Sequence, residues 1–575
     1  MSKYKHPLFY WSIAFVLTSI CMALVFGQTP LDYKFESYSN DGDQRLNMLF
    51  HQWNLDWLLG DVPRHTNSYW NFYIYHPYKE ALALSVNHLG SLPLNLILNL
   101  FEQDWLARGN LWIYLCYFLN SLSSFLCLKL LFRKMDRTRS SNYINLTLIS
   151  AVISLSFAFS LNRINYLDHA QTLPSFALPF FFYFGFKSLT EHKKSYAVLA
   201  ALFFTWQVYL DIHIALMAVL ISVLSVPLFF VTREFGNNRA ILIECSKQLI
   251  IFLAITAALT APLIFPYLDT ARNFGSREFV NGPAMKYYFI PTHYSKIFYD
   301  LFPQRTFNDT SILPHYFFVP LCLFIIYHSM KHIVIFAKQK QWKNVLIHTF
   351  SLFILAAFMD VIVHRSSLAS LLHHTIPGLD SIRTPARLSI LLGPLALGLA
   401  CYYLLVSKTS PRLKTAILSS ILILILVEAK SIRLLTWQMP RVNNLELVFE
   451  KLQGPSLFLP YSLDAYENLD LMMLAQKYKI KIGNGYSGFL PKSFFELASN
   501  GSNVSVPTLI KSLEKTYYRE IVLDIRKFPP EELMALSGQK IGSFLIIQGA
   551  HYPKEFASSG TYFTLGNPVD TAIRR

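Results

Sequence analysis

Apolar residues run in blocks of roughly span length through the first three quarters of the chain, and the blocks stop near Trp437. About 20 consecutive apolar residues in a helix cross the hydrocarbon core of a bilayer. The pattern predicts about eleven spans, at Pro7–Phe26, Gly109–Phe132, Tyr143–Leu161, Thr172–Leu189, Ser195–Leu210, His213–Val231, Gln248–Leu268, Pro314–Phe336, Asn344–Val363, Leu388–Val406 and Thr415–Val427. Asp211 and His213 interrupt the long apolar run Ser195–Val231, where the division into spans is weakest. Gly90–Phe101 is apolar but too short to cross, so it reads as re-entrant or surface-lying. Leu46–Leu59 carries apolar residues at helical spacing, with Trp53 and Trp57 four apart on one face of an amphipathic helix. Beyond Trp437 charges of both signs become frequent; Ser456–Pro460 and Ile541–Ile547 read as strands, Ala465–Lys477 and Pro530–Ser537 as helices. The fold class expected is an α-helical polytopic membrane domain over residues 1–436 and a small α/β domain over 437–575.

Charge orients this pattern. Lys3 and Lys5 precede the first span, and every second connection is short and basic: Arg133 to Arg139, Lys187 to Lys194, Arg233 to Arg239, Lys331 to Lys343, Lys408 to Lys414. By the positive-inside rule these face the cytoplasm. The first loop (28–108), the long loop 269–313 and the C-terminal domain then lie outside. The 575 residues are 53% hydrophobic, with mean hydropathy +0.33, which excludes an ordinary soluble globule. The net charge of +16 is largely that of the inner loops; it forms no basic, aromatic-interleaved stripe and calls for no nucleic-acid partner. The six cysteines lie in or at the ends of apolar spans, so neither a disulfide framework outside nor metal-ligand spacing is expected. Pro7–Phe26 has the flanks of a signal peptide but a long apolar core, and reads as an uncleaved anchor.

Candidate chemistry gathers at outer ends. Asp41 and Asp43 stand one residue apart just before the amphipathic helix, with Asp56 further along it. Paired carboxylates repel and can share a proton or a cation; equally, they can be an ordinary solvated N-cap. The aromatics from Trp70 to Tyr78 suit a headgroup boundary, and also suit stacking on sugars. Arg163, Asp168 and His169 in the short outer connection Leu161–Gln171 are costly at a span boundary unless partnered or facing a wet cavity. Asp211 and His213 either join such a cavity or mark a turn. Arg383 and Arg387, four apart beside a helix opened by Pro385, form either a phosphate site or a headgroup anchor. In the C-terminal domain, Gly483–Pro491 is a turn-rich loop that presents Tyr486 and Phe489.

The acidic first outer loop (Asp41-Gly42-Asp43, then Trp53 and Trp57), the many spans, Ile382-Arg383-Thr384-Pro385-Ala386-Arg387 and Asn484-Gly485-Tyr486-Ser487-Gly488-Phe489 together resemble the GT-C superfamily of polytopic glycosyltransferases, in particular bacterial members. The resemblance implies a polyprenyl-phosphate-linked sugar as donor, an acceptor outside the cytoplasm (envelope glycan, lipid or protein), membrane lipids around it and a bacterial inner-membrane location. It implies Asp43 or its neighbour Asp41 as catalytic carboxylate. Substrate-binding roles are expected for Arg383, Arg387, Arg163, Asp168, His169, Trp53, Trp57 and Tyr486. A divalent cation, with Asp43 and Asp168 as possible ligands, is compatible with the chemistry but not required. Two other classes compete: a lipid-sugar flippase or transporter, which needs polar groups deep in several spans, and a non-enzymatic envelope protein.

Overall fold

The computed structural model describes residues 7–27, 36–37, 42–63, 66–136, 143–232, 238–274, 313–363, 389–407, 409–432, 437–438, 443–462, 464–487, 518–534 and 536–548. The chain forms two units. One comprises residues 1–40, 97–261 and 276–438; the other comprises 41–96, 262–275 and 439–575.

The first unit is helical. Long apolar runs become helices α1 (Pro7–Phe26), α4 (Trp105–Asp136), α5 (Tyr143–Phe159), α7 (Leu178–Glu191), α8 (Lys194–Leu210), α9 (Ile212–Thr232), α11 (Phe318–Lys338), α12 (Trp342–Val363), α13 (Ser389–Val406) and α14 (Pro411–Lys430). α10 (Asn238–Phe274) passes through Pro262 and Pro266, and its last turns belong to the second unit. Each apolar block thus forms a helix, but length separates them. Among the described residues four helices are long and apolar enough to cross a membrane: Ala107–Phe132, Ile144–Asn165, Ala240–Thr270 and Phe318–Lys338. The expected count of eleven is not reached by that measure. α7, at 14 residues, rises only about 21 Å.

Several buried polar groups inside this unit bond one another, which lowers the cost of burying them. Ser156 Oγ lies 2.7 Å from His315 Nε2, His315 Nδ1 lies 2.6 Å from Glu428 Oε2, and Glu428 Oε1 accepts the Tyr316 amide at 2.6 Å. All three side chains are buried, so this chain of contacts links α5, the start of α11 and the end of α14. Asp211 ends α8 and starts α9: its Oδ1 accepts the amide of Ile214 at 2.8 Å, which makes the interruption of the apolar run an N-cap. Lys414, one of the basic residues of the connection 408–414, is buried and donates to the carbonyls of Leu405 (2.7 Å) and Ser407 (2.9 Å). It therefore closes the end of α13 as well as carrying charge.

In the second unit, α2 (Gly42–Leu59) packs on α16 (Ala465–Lys477), whose N-cap Asp464 accepts the amides of Tyr466 and Glu467. The sheet runs β3 (Ser456–Leu459), β4 (Glu520–Asp524), β6 (Phe544–Gln548), β5 (Gln539–Ile541); β3 and β4 are parallel and the other pairs antiparallel. Leu457, Leu459, Ile521 and Leu523 form its core, covered by Tyr461, Tyr518, Phe528 and Leu545. The sequence expectation here is corrected twice. Ile541–Ile547 is a hairpin and not one strand, because Gly542 turns the chain at φ +56. The strand Glu520–Asp524 went unread, since its acidic ends mask a buried Ile-Val-Leu centre. The smaller elements are α15 (Asn443–Phe449) and α17 (Pro530–Leu533) in this unit, α6 (Leu161–Asn165) and the pair β1 (Glu36–Ser37) and β2 (Trp437–Gln438) in the first, and α3 (Leu92–Asn99). Leu100 and Phe101, just past α3, are exposed, whereas Ser91 and Asn95 of the same apolar stretch are buried.

Candidate functional site

α2 sets the geometry of the second unit. Arg45 donates to Asp470 Oδ1 on α16 at 2.7 Å and lies over the Tyr466 ring. Burial raises the Asp470 carboxyl above its ordinary range, and Arg45 partly offsets this. At the other end of α2, Asp56 is buried and fully engaged. Its Oδ1 accepts from Gln52 at 2.7 Å; its Oδ2 accepts from Lys479 at 2.6 Å, Tyr73 at 3.0 Å and Gln476 at 3.1 Å. Burial and the Asp56 charge together push the Tyr73 hydroxyl well above the ordinary phenol range.

Asp43 is different. It is half-buried in the first turn of α2, and the Tyr486 hydroxyl donates to its Oδ1 at 3.1 Å. A carboxylate there gains from the positive end of the helix. The loop that supplies Tyr486 is pinned to β3 by Asn484, whose Oδ1 accepts the Phe458 amide at 2.8 Å and whose Nδ2 donates to the Phe458 carbonyl at 2.9 Å. Gly485 is required for the approach: a Cβ there would stand 2.9 Å from Ile74 Cβ and from the Tyr75 ring. The structure thus joins two of the residues singled out in sequence, Asp43 and Tyr486, across more than four hundred positions. Asp41, Arg383 and Arg387 lie outside the described residues.

The aromatic expectations are corrected. Trp53 is wholly buried, edge-on to Phe72 and Tyr73, and its Nε1 donates to the Tyr69 carbonyl at 3.0 Å. It is a core residue and offers no face to a sugar. Trp57 is half-buried beside it, ring centroids 6.1 Å apart. Phe72, Tyr73 and Tyr75 are buried in the same core, so neither a headgroup belt nor a stacking platform accounts for them. Aromatic density alone does not distinguish a buried core from a headgroup boundary, because the same rings serve both.

The segment 161–172, expected as an outer loop, is a buried helical turn in the first unit. Arg163 has no exposed surface. Its Nη1 donates to the Leu173 carbonyl at 3.0 Å and Ser175 Oγ at 3.2 Å, and the guanidinium lies over the Phe157 ring. Nε and Nη2 make no hydrogen bond. His169 is half-buried in the following turn, and the Asp168 side chain falls outside the described residues. Among the described residues no group of three metal-ligating side chains gathers.

The fold defines a class: a mostly helical protein, with four helices among the described residues long and apolar enough to cross a membrane and a mixed α/β element in its second unit. No protein-family model matches the chain, and no curated protein matches it either. Among solved structures, it is similar to the arabinofuranosyltransferase AftD from Mycobacteria, at TM-score 0.49 and 12% identity, over 94% of this chain and 40% of that one. It is also similar to the archaeal oligosaccharyltransferase AglB from Archaeoglobus fulgidus, at TM-score 0.43 and 10% identity, over 90% of this chain and 70% of that one. The chain spans about two fifths of the length of AftD.

Proposed function

We propose that the chain is a membrane glycosyltransferase that moves a sugar from a polyprenyl-phosphate donor to a hydroxyl acceptor on the outer face of a bacterial inner membrane. One observation carries the reading: Asp43 is a half-buried carboxylate at a helix N-terminus, held by the hydroxyl of Tyr486. Asp56, by contrast, has both oxygens occupied within the fold. Sequence resemblance to the GT-C superfamily supplies the reaction class.

On this reading Asp43 takes the proton of the acceptor hydroxyl as its oxygen attacks the anomeric carbon. The bond from that carbon to the phosphate oxygen breaks, and its electron pair leaves on the polyprenyl phosphate. Tyr486, donating to Oδ1, orients the carboxylate that accepts the proton. Arg383 and Arg387 remain the cations proposed to meet the leaving phosphate. No step is routed through a metal ion.

The test is Asp43→Asn in purified protein reconstituted with polyprenyl-phosphate-linked sugars. The expected outcome is loss of transfer by about 10²–10⁴-fold with an unchanged melting temperature. Full activity in that variant ends the assignment.

A further inference from the structure

The residue after the proposed base poses a separate problem. Gln44 is 0% exposed, and neither its Oε1 nor its Nε2 has a hydrogen-bond partner. An unpaired buried amide is costly, and such groups are rare in folded proteins. The helix could have placed a leucine or methionine there at no cost.

Gln44 lies on a polar stripe of α2. Positions 44, 47 and 51 repeat at i, i+3 and i+7 and share one face. Asn47 Oδ1 accepts from His88 Nε2 at 2.9 Å, and Asn95 Nδ2 donates to His51 Nδ1 at 2.8 Å, with the two imidazoles 4.8 Å apart. The short turn Leu89–Ser91 packs on α2, and Ser91 Oγ is likewise buried without a partner. All of these side chains are buried. Asn47 with His88 and Asn95 with His51 thus bond one another in pairs along this face. The side-chain polar atoms of Gln44 and Ser91 join neither pair.

We propose that Gln44 is the specificity-determining residue for the sugar on which Asp43 acts. Its amide supplies one acceptor and two donors, the complement of two neighbouring hydroxyls on a pyranose or furanose ring. Side chains at i and i+1 diverge on a helix, so carboxylate and amide would meet different edges of one ring. The inference rests on the glycosyl-transfer reading and names the group that recognises its donor. A site built to bond a hydroxyl also rejects analogues that lack it, because its own groups are then left unpaired.

The experiment compares wild type, Gln44→Met and Asp43→Asn by thermal shift in detergent. The probes are farnesyl phosphate and farnesyl-phosphate-linked hexoses and pentoses, each with its mono-deoxy analogues. Gln44→Met should keep or raise the ligand-free melting temperature, since it removes two unpaired polar atoms. It should bind the best sugar-bearing lipid about tenfold to a hundredfold more weakly, bind farnesyl phosphate unchanged, and lose discrimination against one deoxy analogue. Asp43→Asn should retain that discrimination. A clear fall in the ligand-free melting temperature of Gln44→Met means the amide serves the fold, and overturns the inference. Unchanged sugar affinity and selectivity in Gln44→Met overturn it too, while leaving the glycosyl-transfer reading intact. If wild type binds no sugar-bearing lipid more tightly than farnesyl phosphate, the reading and the inference fall together.

Discussion

The two ends of α2 carry the same functional group in opposite circumstances. Asp56 is buried and accepts from four side chains, one of them the Lys479 ammonium 2.6 Å away. Asp43 is half-buried and is met by a phenol. A carboxylate whose lone pairs are filled by the fold cannot take a proton from a substrate without dismantling its surroundings, so the proposed base is the half-buried Asp43 and not Asp56. The difference teaches that proximity in sequence groups acids but does not sort them by task. Their hydrogen-bond partners do.

The sharpest way to break the comparison is to neutralise each acid in turn. Asp43→Asn should cost catalysis about 10²–10⁴-fold, equivalent to roughly 3–5 kcal/mol of barrier, and leave thermal unfolding unchanged. Asp56→Ala should do the reverse: a loss of about 3–5 kcal/mol of stability, from a buried network left with unpaired donors, seen as a lowered melting temperature before any kinetic effect. Should Asp56→Ala melt normally and fail only in transfer, the assignments of the two ends must be exchanged.

A third variant probes a buried charge that, unlike Asp56, gains nothing from a counter-ion. Burial lowers the Lys481 ammonium from 10.5 to about 8. Between those values the unfolded chain binds a proton that the native chain does not, so stability rises with pH across the window and the penalty is fully present below it. Lys481→Met should therefore stabilise by about 3 kcal/mol at pH 7, with the gain over wild type shrinking to nothing above pH 10.5. Melting curves at pH 7 and pH 10.5 decide it. The smallest effect is expected from Tyr486→Phe, which deletes one hydrogen bond to Asp43: about 1 kcal/mol, less than tenfold in kcat, with unaltered stability. A Tyr486→Phe loss as large as that of Asp43→Asn would make the tyrosine a participant and not a positioning residue.

Much of the fold was legible in sequence. Apolar blocks mark helices because the period and length of a buried helix are written locally, and α16 and β3 sit where capping and strand signals place them. The number of crossing helices was less legible, since hydropathy does not say where a helix stops. Asp464 caps α16 by contacts to the next two or three residues. Arg163, by contrast, read as a snorkelling or ligand-binding cation, is held by carbonyls and a hydroxyl ten or twelve residues on, which only the turn between them brings within reach. The unpaired amide of Gln44 was invisible for the same reason, because burial and the absence of a partner are properties of the packed state.

The chain's order of apolar and polar residues was enough by itself to specify a mostly helical protein with several long apolar helices, its basic connections and an acidic segment worth inspecting, because these depend on neighbours a few positions apart. Tertiary structure alone decided that Asp56 and Trp53 serve the core and that Tyr486 meets Asp43. Burial and hydrogen bonding are set by groups brought together from distant parts of the chain, and no local pattern encodes them.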